Sequence, residues 1–181
     1  RTAPYQLWKS VYYQLLGLPE DAAASGRVAD LPAALAALDE AFVPQVALLA
    51  PVLDLPLESD LATEGQDAEE RNLARRTLLV GLFRSAARQV AQAGSRLALV
   101  LEDLHWLDAA SQELWELIGQ AVTALPVLVL TTARPAEVPA EPATGTLPTG
   151  TVLALAPLDA EAAAELAHAR LRAAGLGEQA S

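Results

Sequence analysis

Two polar clusters, each directly after an apolar run, contain the residues of this sequence best suited to chemistry. Glu102 and Asp103 follow the apolar residues 97–101, and residues 131–134 (TTAR) follow a second apolar run. Carboxylates in such a position can hold Mg²⁺, directly or through water, and can orient a water nucleophile. An arginine nearby can neutralise the charge on a transferring phosphoryl group. These are the residue types that nucleotide hydrolysis requires.

The apolar runs before the two clusters are predicted to be neighbouring strands. Residues 97–101 (LALVL) and 127–131 (VLVLT) are too short for helices. Unbroken apolar runs of this length are typical of strands that are buried on both faces of a parallel sheet. Because ligands of α/β sheets bind beyond the carboxyl ends of the strands, we expect both clusters at one edge of the sheet.

The rest of the chain predicts helices around this sheet. Residues 1–94 are expected to be largely helical, and residues 95–158 to hold the sheet, with a third parallel strand near residues 152–155. Residues 159–181 are expected to form a C-terminal helix. The fold class is therefore α/β, and the chain is expected to form a single domain.

Composition excludes several functions. The 181 residues contain no Cys and carry a formal net charge of -11, which disfavours thiol chemistry, Cys–zinc sites and a broad basic surface for nucleic acid. Gly and Pro interrupt the longest charge-free stretches, so no membrane span is expected. A cytoplasmic location is the simplest expectation. The chain has no Met and begins at Arg1, which favours a segment of a longer protein.

Four stretches resemble the STAND branch of P-loop NTPases, within the AAA-like group. Residues 97–108 (LALVLEDLHWLD) resemble its Walker B segment, and residues 127–135 (VLVLTTARP) resemble its sensor 1 strand. Residues 3–17 and 153–171 are similar to helical and strand–helix segments of the same family. The resemblance implies a partial three-layer P-loop NTPase core of a bacterial signalling or transcriptional regulator of the LuxR-type or cyclase-associated kind.

The resemblance also implies roles for individual residues. Glu102 corresponds to the Mg²⁺-associated acid, Asp103 to the acid that polarises the attacking water, and Arg134 to sensor 1 at the γ-phosphate. Thr131 and Thr132, with Glu102 and Arg134, are expected to face the nucleotide, and both acids are candidate Mg²⁺ ligands. The family more often has Asp at the first acidic position, so the division of roles between the two acids remains open.

The phosphate-binding half of such a site is missing from the sequence. A P-loop needs G-x-x-x-x-G-K-[ST], whereas the one lysine of the chain, Lys9, has no glycine loop before it. The cradle for ATP is therefore expected upstream of Arg1, and the chain alone is expected to be inactive. Expected partners are the nucleotide, other domains of the same chain and further copies in an oligomer, without direct contact to nucleic acid or membrane.

Two other functions fit the same residues. The chain could be a catalytically inactive interaction scaffold with this fold, or a metal-dependent hydrolase that uses Glu102, Asp103 and His105. Simple structural roles are expected for the neighbouring residues: packing for His105, a core anchor for Trp106 and an N-cap for Asp108.

Overall fold

The computed structural model describes residues 4–56, 67–134 and 151–175. The chain divides into two compact units, Arg1–Pro148 and Thr149–Ser181, which are described separately below. The structure is mostly helical (65%), and its described residues hold two parallel strands in one sheet. The elements are α1 (Gln6–Leu15), α2 (Ala24–Leu38), a 3₁₀ helix (Glu40–Leu49), α3 (Ala50–Leu53), α4 (Ala68–Gln92), β1 (Leu97–Leu101), a 3₁₀ turn (Leu104–Trp106), α5 (Ala109–Val122), β2 (Val127–Thr131) and α6 (Ala160–Ala173).

Helix α1 is anchored through buried aromatic side chains that also have polar partners. The indole N–H of Trp8 donates to the carbonyl of Ser111 at 3.1 Å, and the Tyr12 hydroxyl donates to the carbonyl of Leu79 at 2.9 Å. Trp8 and Tyr12 are both fully buried. Burial raises the pKa of the Tyr12 phenol well above its ordinary value, so it stays a neutral donor. These bonds join α1 to α4 and α5.

Helix α4, with 25 residues, is the longest helix among the described residues of the first unit. Asp67 is its N-cap and accepts from the backbone N–H of Glu70 at 2.8 Å. One face is buried in the core, and the exposed arginines Arg84 and Arg88 lie on the other. Helix α4 also contacts β1, so it forms the layer that supports the sheet from one side.

The predicted parallel strands at 97–101 and 127–131 are confirmed, but the expected burial on both faces is wrong. The strands pair in register from Leu97 opposite Val127 to Leu101 opposite Thr131. Within residues 4–134, one face of this pair meets the core through residues such as Leu99 and Leu101. The other face is apolar yet open, and this exposed sheet face is made by Val100 (52% exposed), Leu128 (67%) and Leu130 (54%).

The predicted third strand near residues 152–155 is not formed. Residues 151–159 have no regular secondary structure, and the second unit has helix α6 as its one described element. A strand exists only through hydrogen bonds to a neighbour, which an apolar sequence alone does not supply. The predicted three-layer P-loop core is therefore not seen in the described residues. Helix α6 begins after its N-cap Asp159, which accepts from the N–H of Ala162 at 2.8 Å.

Among the residues that the structure describes, no helix combines the length and the apolar character that crossing a bilayer needs.

Candidate functional site

The two polar clusters lie side by side at the carboxyl ends of β1 and β2. Hydrogen bonds continue past the last paired residues: the N–H of Thr132 donates to the carbonyl of Leu101 at 3.1 Å, and the N–H of Leu104 donates to the carbonyl of Thr132 at 2.9 Å. The parallel register therefore brings the segment after Glu102 against the start of the 131–134 segment. The predicted adjacency of these two strand ends is confirmed.

Asp103 adopts an uncommon backbone conformation at this junction. Its φ of 54° and ψ of 50° place it in the left-handed region, which Asp and Asn tolerate better than other non-glycine residues. Its N–H donates to the Thr132 hydroxyl oxygen at 2.9 Å. The Asp103 side chain is 66% exposed, so its carboxylate is accessible from solvent at the edge of the sheet.

His105 and Trp106 take opposite positions in the 3₁₀ turn after Asp103. The His105 side chain is only 6% exposed, and its Nδ1 lies 3.9 Å from a carboxylate oxygen of Asp103, which agrees with the predicted packing role. Trp106 is 69% exposed, so its predicted role as a core anchor is wrong. Three residues per turn leave one of three successive side chains facing outward, and in this turn that residue is Trp106.

Asp108 is the N-cap of α5, as predicted. One carboxylate oxygen accepts from the N–H of Ser111 at 3.0 Å, and the other accepts from the Ser111 hydroxyl at 2.6 Å. The backbone N–H groups of Tyr5 and Ala110 also favour its charged form. Partial burial raises the pKa of Asp108, but the hydrogen bonds of Ser111, Tyr5 and Ala110 outweigh burial and lower it.

Replacing Asp108 by Asn is expected to reduce stability by about 1–2 kcal/mol at neutral pH, because an amide has one acceptor oxygen for the two donors of Ser111. The lowered pKa of Asp108 in the folded state adds stability above the pKa of Asp in the unfolded chain, which is about 3.9. This added stability is lost as the pH falls through the pKa of Asp108 in the folded state. Urea unfolding from pH 7 to pH 2 should therefore show a weaker pH dependence in the variant. Asp67→Asn is the matched control, since Asp67 caps α4 with one described hydrogen bond. An equal loss of unfolding free energy in both variants would contradict a larger contribution of Asp108 than of Asp67.

Glu102 and Arg134 are exposed, and neither forms an ion pair among the residues that the structure describes. Glu137, an acid near Arg134 in the sequence with which the arginine could pair, lies outside the described residues. The Glu102 and Asp103 carboxylates fit Mg²⁺, which prefers oxygen ligands and uses one or two carboxylates with water and phosphate oxygens. In residues 4–56, 67–134 and 151–175, no group of three or more His, Asp or Glu side chains is arranged for a metal.

Lys9 is not placed as a phosphate-binding lysine. Its ammonium group lies 3.3 Å from a carboxylate oxygen of Asp54, and it belongs to the middle of α1 instead of a glycine loop at a helix N-terminus. The described residues therefore place two acids and an arginine after neighbouring strands, and they show no lysine in a glycine loop.

Comparison of the chain with protein-family models, curated proteins and solved structures gives no match in any of the three.

Proposed function

We propose that the chain is the metal-side half of an ATP-binding and hydrolysing signalling switch of the STAND type. The observation that carries this proposal is the hydrogen-bonded junction between the ends of β1 and β2. There Thr132 contacts Asp103, in a segment that also contains Glu102, while Arg134 follows two residues later on the other strand. Accessible acids beside a strand that is followed by an arginine are suited to bind a triphosphate with its metal ion.

Each side chain has a separate task in this proposal. Mg²⁺, when bound with nucleotide, would neutralise phosphate charge. One acid of the pair holds the ion through its oxygens, and the other orients a water molecule and accepts its proton. Arg134 interacts more strongly with a triphosphate than with a diphosphate, because the additional phosphoryl group carries negative charge. Such a difference in affinity shifts the balance between two arrangements of the protein, as a nucleotide switch requires.

The exposed sheet face supports a further layer of structure over this sheet in the complete protein. Parallel sheets normally have both faces covered, whereas Val100, Leu128 and Leu130 are more than half exposed here. We propose that the missing P-loop strand and helix lie upstream of Arg1 and complete this core. The same exposed apolar surface favours the second candidate, an inactive scaffold that binds another protein through this face.

ATP turnover distinguishes the two candidates. The chain from Arg1 to Ser181 is expected to show no measurable hydrolysis, because its only lysine is paired with Asp54. A protein extended upstream through a G-x-x-x-x-G-K-[ST] segment should bind ATP·Mg²⁺ in calorimetry and hydrolyse it slowly. Robust hydrolysis by the chain alone would contradict the missing cradle. An upstream sequence without that motif, together with no heat of ATP binding, would favour the scaffold.

A further inference from the structure

All three polar groups of Thr132 form hydrogen bonds with the last residue of β1 or with residues that follow it. Its N–H donates to the carbonyl of Leu101 at 3.1 Å, and its carbonyl accepts from the N–H of Leu104 at 2.9 Å. Its hydroxyl oxygen accepts from the N–H of Asp103 at 2.9 Å. The first two bonds involve only backbone atoms, which any residue supplies. The third needs a hydroxyl at this position.

The third bond falls on the residue whose backbone is least favourable. Asp103 has a positive φ of 54°, and such conformations persist in non-glycine residues where the surrounding structure holds them. The bonds to Leu101 and Leu104 fix the positions on both sides of Asp103, and the Thr132 hydroxyl binds the amide between them. Within the described residues, Thr131, the last residue of β2, makes no side-chain hydrogen bond, so the contact is specific to Thr132.

We propose that Thr132 is a positioning residue that sets the conformation of Asp103 and couples it to Arg134. The consequence for hydrolysis rests on the proposed function. Thr132 and Arg134 are two residues apart in the segment that follows β2, so a shift of this segment on binding phosphate moves the group that holds the Asp103 amide. The acid that orients water is then placed correctly only while the arginine segment is in its triphosphate position. Thr132 thus deepens the proposed switch by linking its sensor to its acid.

Amide exchange followed by NMR tests the positioning without any activity. Thr132→Val keeps the shape but removes the hydroxyl, and it should raise the exchange rate of the Asp103 amide about tenfold. The exchange rate of the Asp103 amide in Thr132→Ser should stay close to the wild-type rate. Thr131→Val is the matched control at the neighbouring position. The amide of buried Ile118 serves as the reference for global unfolding. Unchanged exchange at Asp103 in Thr132→Val, or an equal rise in Thr131→Val, would overturn the proposal.

Steady-state kinetics of the complete, ATP-hydrolysing protein tests the consequence. Thr132→Val should lower kcat about tenfold with little change in the KM for ATP, and Thr132→Ser should restore most of the loss. Thr77→Val is the control, since Thr77 is an exposed residue of α4 whose hydroxyl bonds within its own helix. A raised KM with unchanged kcat would show that Thr132 binds nucleotide directly and would overturn the positioning role. If the wild-type protein does not hydrolyse ATP, the proposed function fails, and the exchange measurement alone decides on Thr132.

Discussion

Replacing Asp103 by Asn in the complete protein is expected to lower the kcat of ATP hydrolysis by on the order of 10² or more, with ATP affinity unchanged. The amide cannot accept the proton of the attacking water, but it preserves the size of the side chain. Asn also tolerates the left-handed backbone that Asp103 adopts, so its N–H can still donate to Thr132. The variant therefore removes the charge with little disturbance of the junction.

Two companion variants sharpen this test. Asp103→Ala also removes the tolerance for positive φ, so it should destabilise the junction in addition to lowering kcat. Asp21→Asn is the matched control, because Asp21 is an exposed aspartate in a turn away from the sheet. Measured kcat and calorimetric affinity decide between roles: unchanged turnover in Asp103→Asn would remove Asp103 from the mechanism. Glu102→Gln, compared in the same assays, assigns the metal-holding acid by a rise in the Mg²⁺ concentration needed for half-maximal turnover.

Replacing Trp8 by Ala is expected to destabilise the chain by about 3–5 kcal/mol. The indole is fully buried, and its N–H satisfies the carbonyl of Ser111 at the start of α5. The substitution leaves a cavity and removes the indole donor to the Ser111 carbonyl, near the start of the helix that Asp108 caps. Urea unfolding, monitored by circular dichroism, measures the loss.

The same substitution at Trp106 provides the control, because this residue is 69% exposed. Trp106→Ala is expected to change the free energy of unfolding by no more than about 0.5 kcal/mol. Trp8→Phe, which keeps much of the volume but removes the donor, should fall between the two. Equal losses for Trp8→Ala and Trp106→Ala would contradict the anchoring of α1 by its aromatic face.

Local chemistry made part of this fold predictable. The apolar runs before Glu102 and Thr131 predicted both strands, because runs of five and four apolar residues are too short for a helix. Asp108 was predictable as an N-cap because a short acceptor three residues before Ser111 matches the geometry of a helix start. Each of these features depends on neighbours within a few positions.

Features that depend on distant partners were not predictable. The bond from the Trp8 indole to the carbonyl of Ser111 joins residues 103 positions apart, and no local pattern encodes it. Trp106 is as apolar as a core residue, but the phase of its 3₁₀ turn directs it outward. The apolar sequence of residues 152–155 resembles a strand, yet strand formation requires a partner that composition does not reveal. For the site, the sequence indicated the acids and the arginine but not the role of the Thr132 hydroxyl.

A structure of the upstream-extended protein with Mg²⁺ and a non-hydrolysable ATP analogue tests the central claim most directly. We expect the terminal phosphate within hydrogen-bond distance of the Arg134 guanidinium, roughly 3 Å, and the metal next to the Glu102 or Asp103 carboxylate, directly or through one water. Nucleotide bound elsewhere, or packed aliphatic side chains filling the space between the two strand ends, would contradict the account.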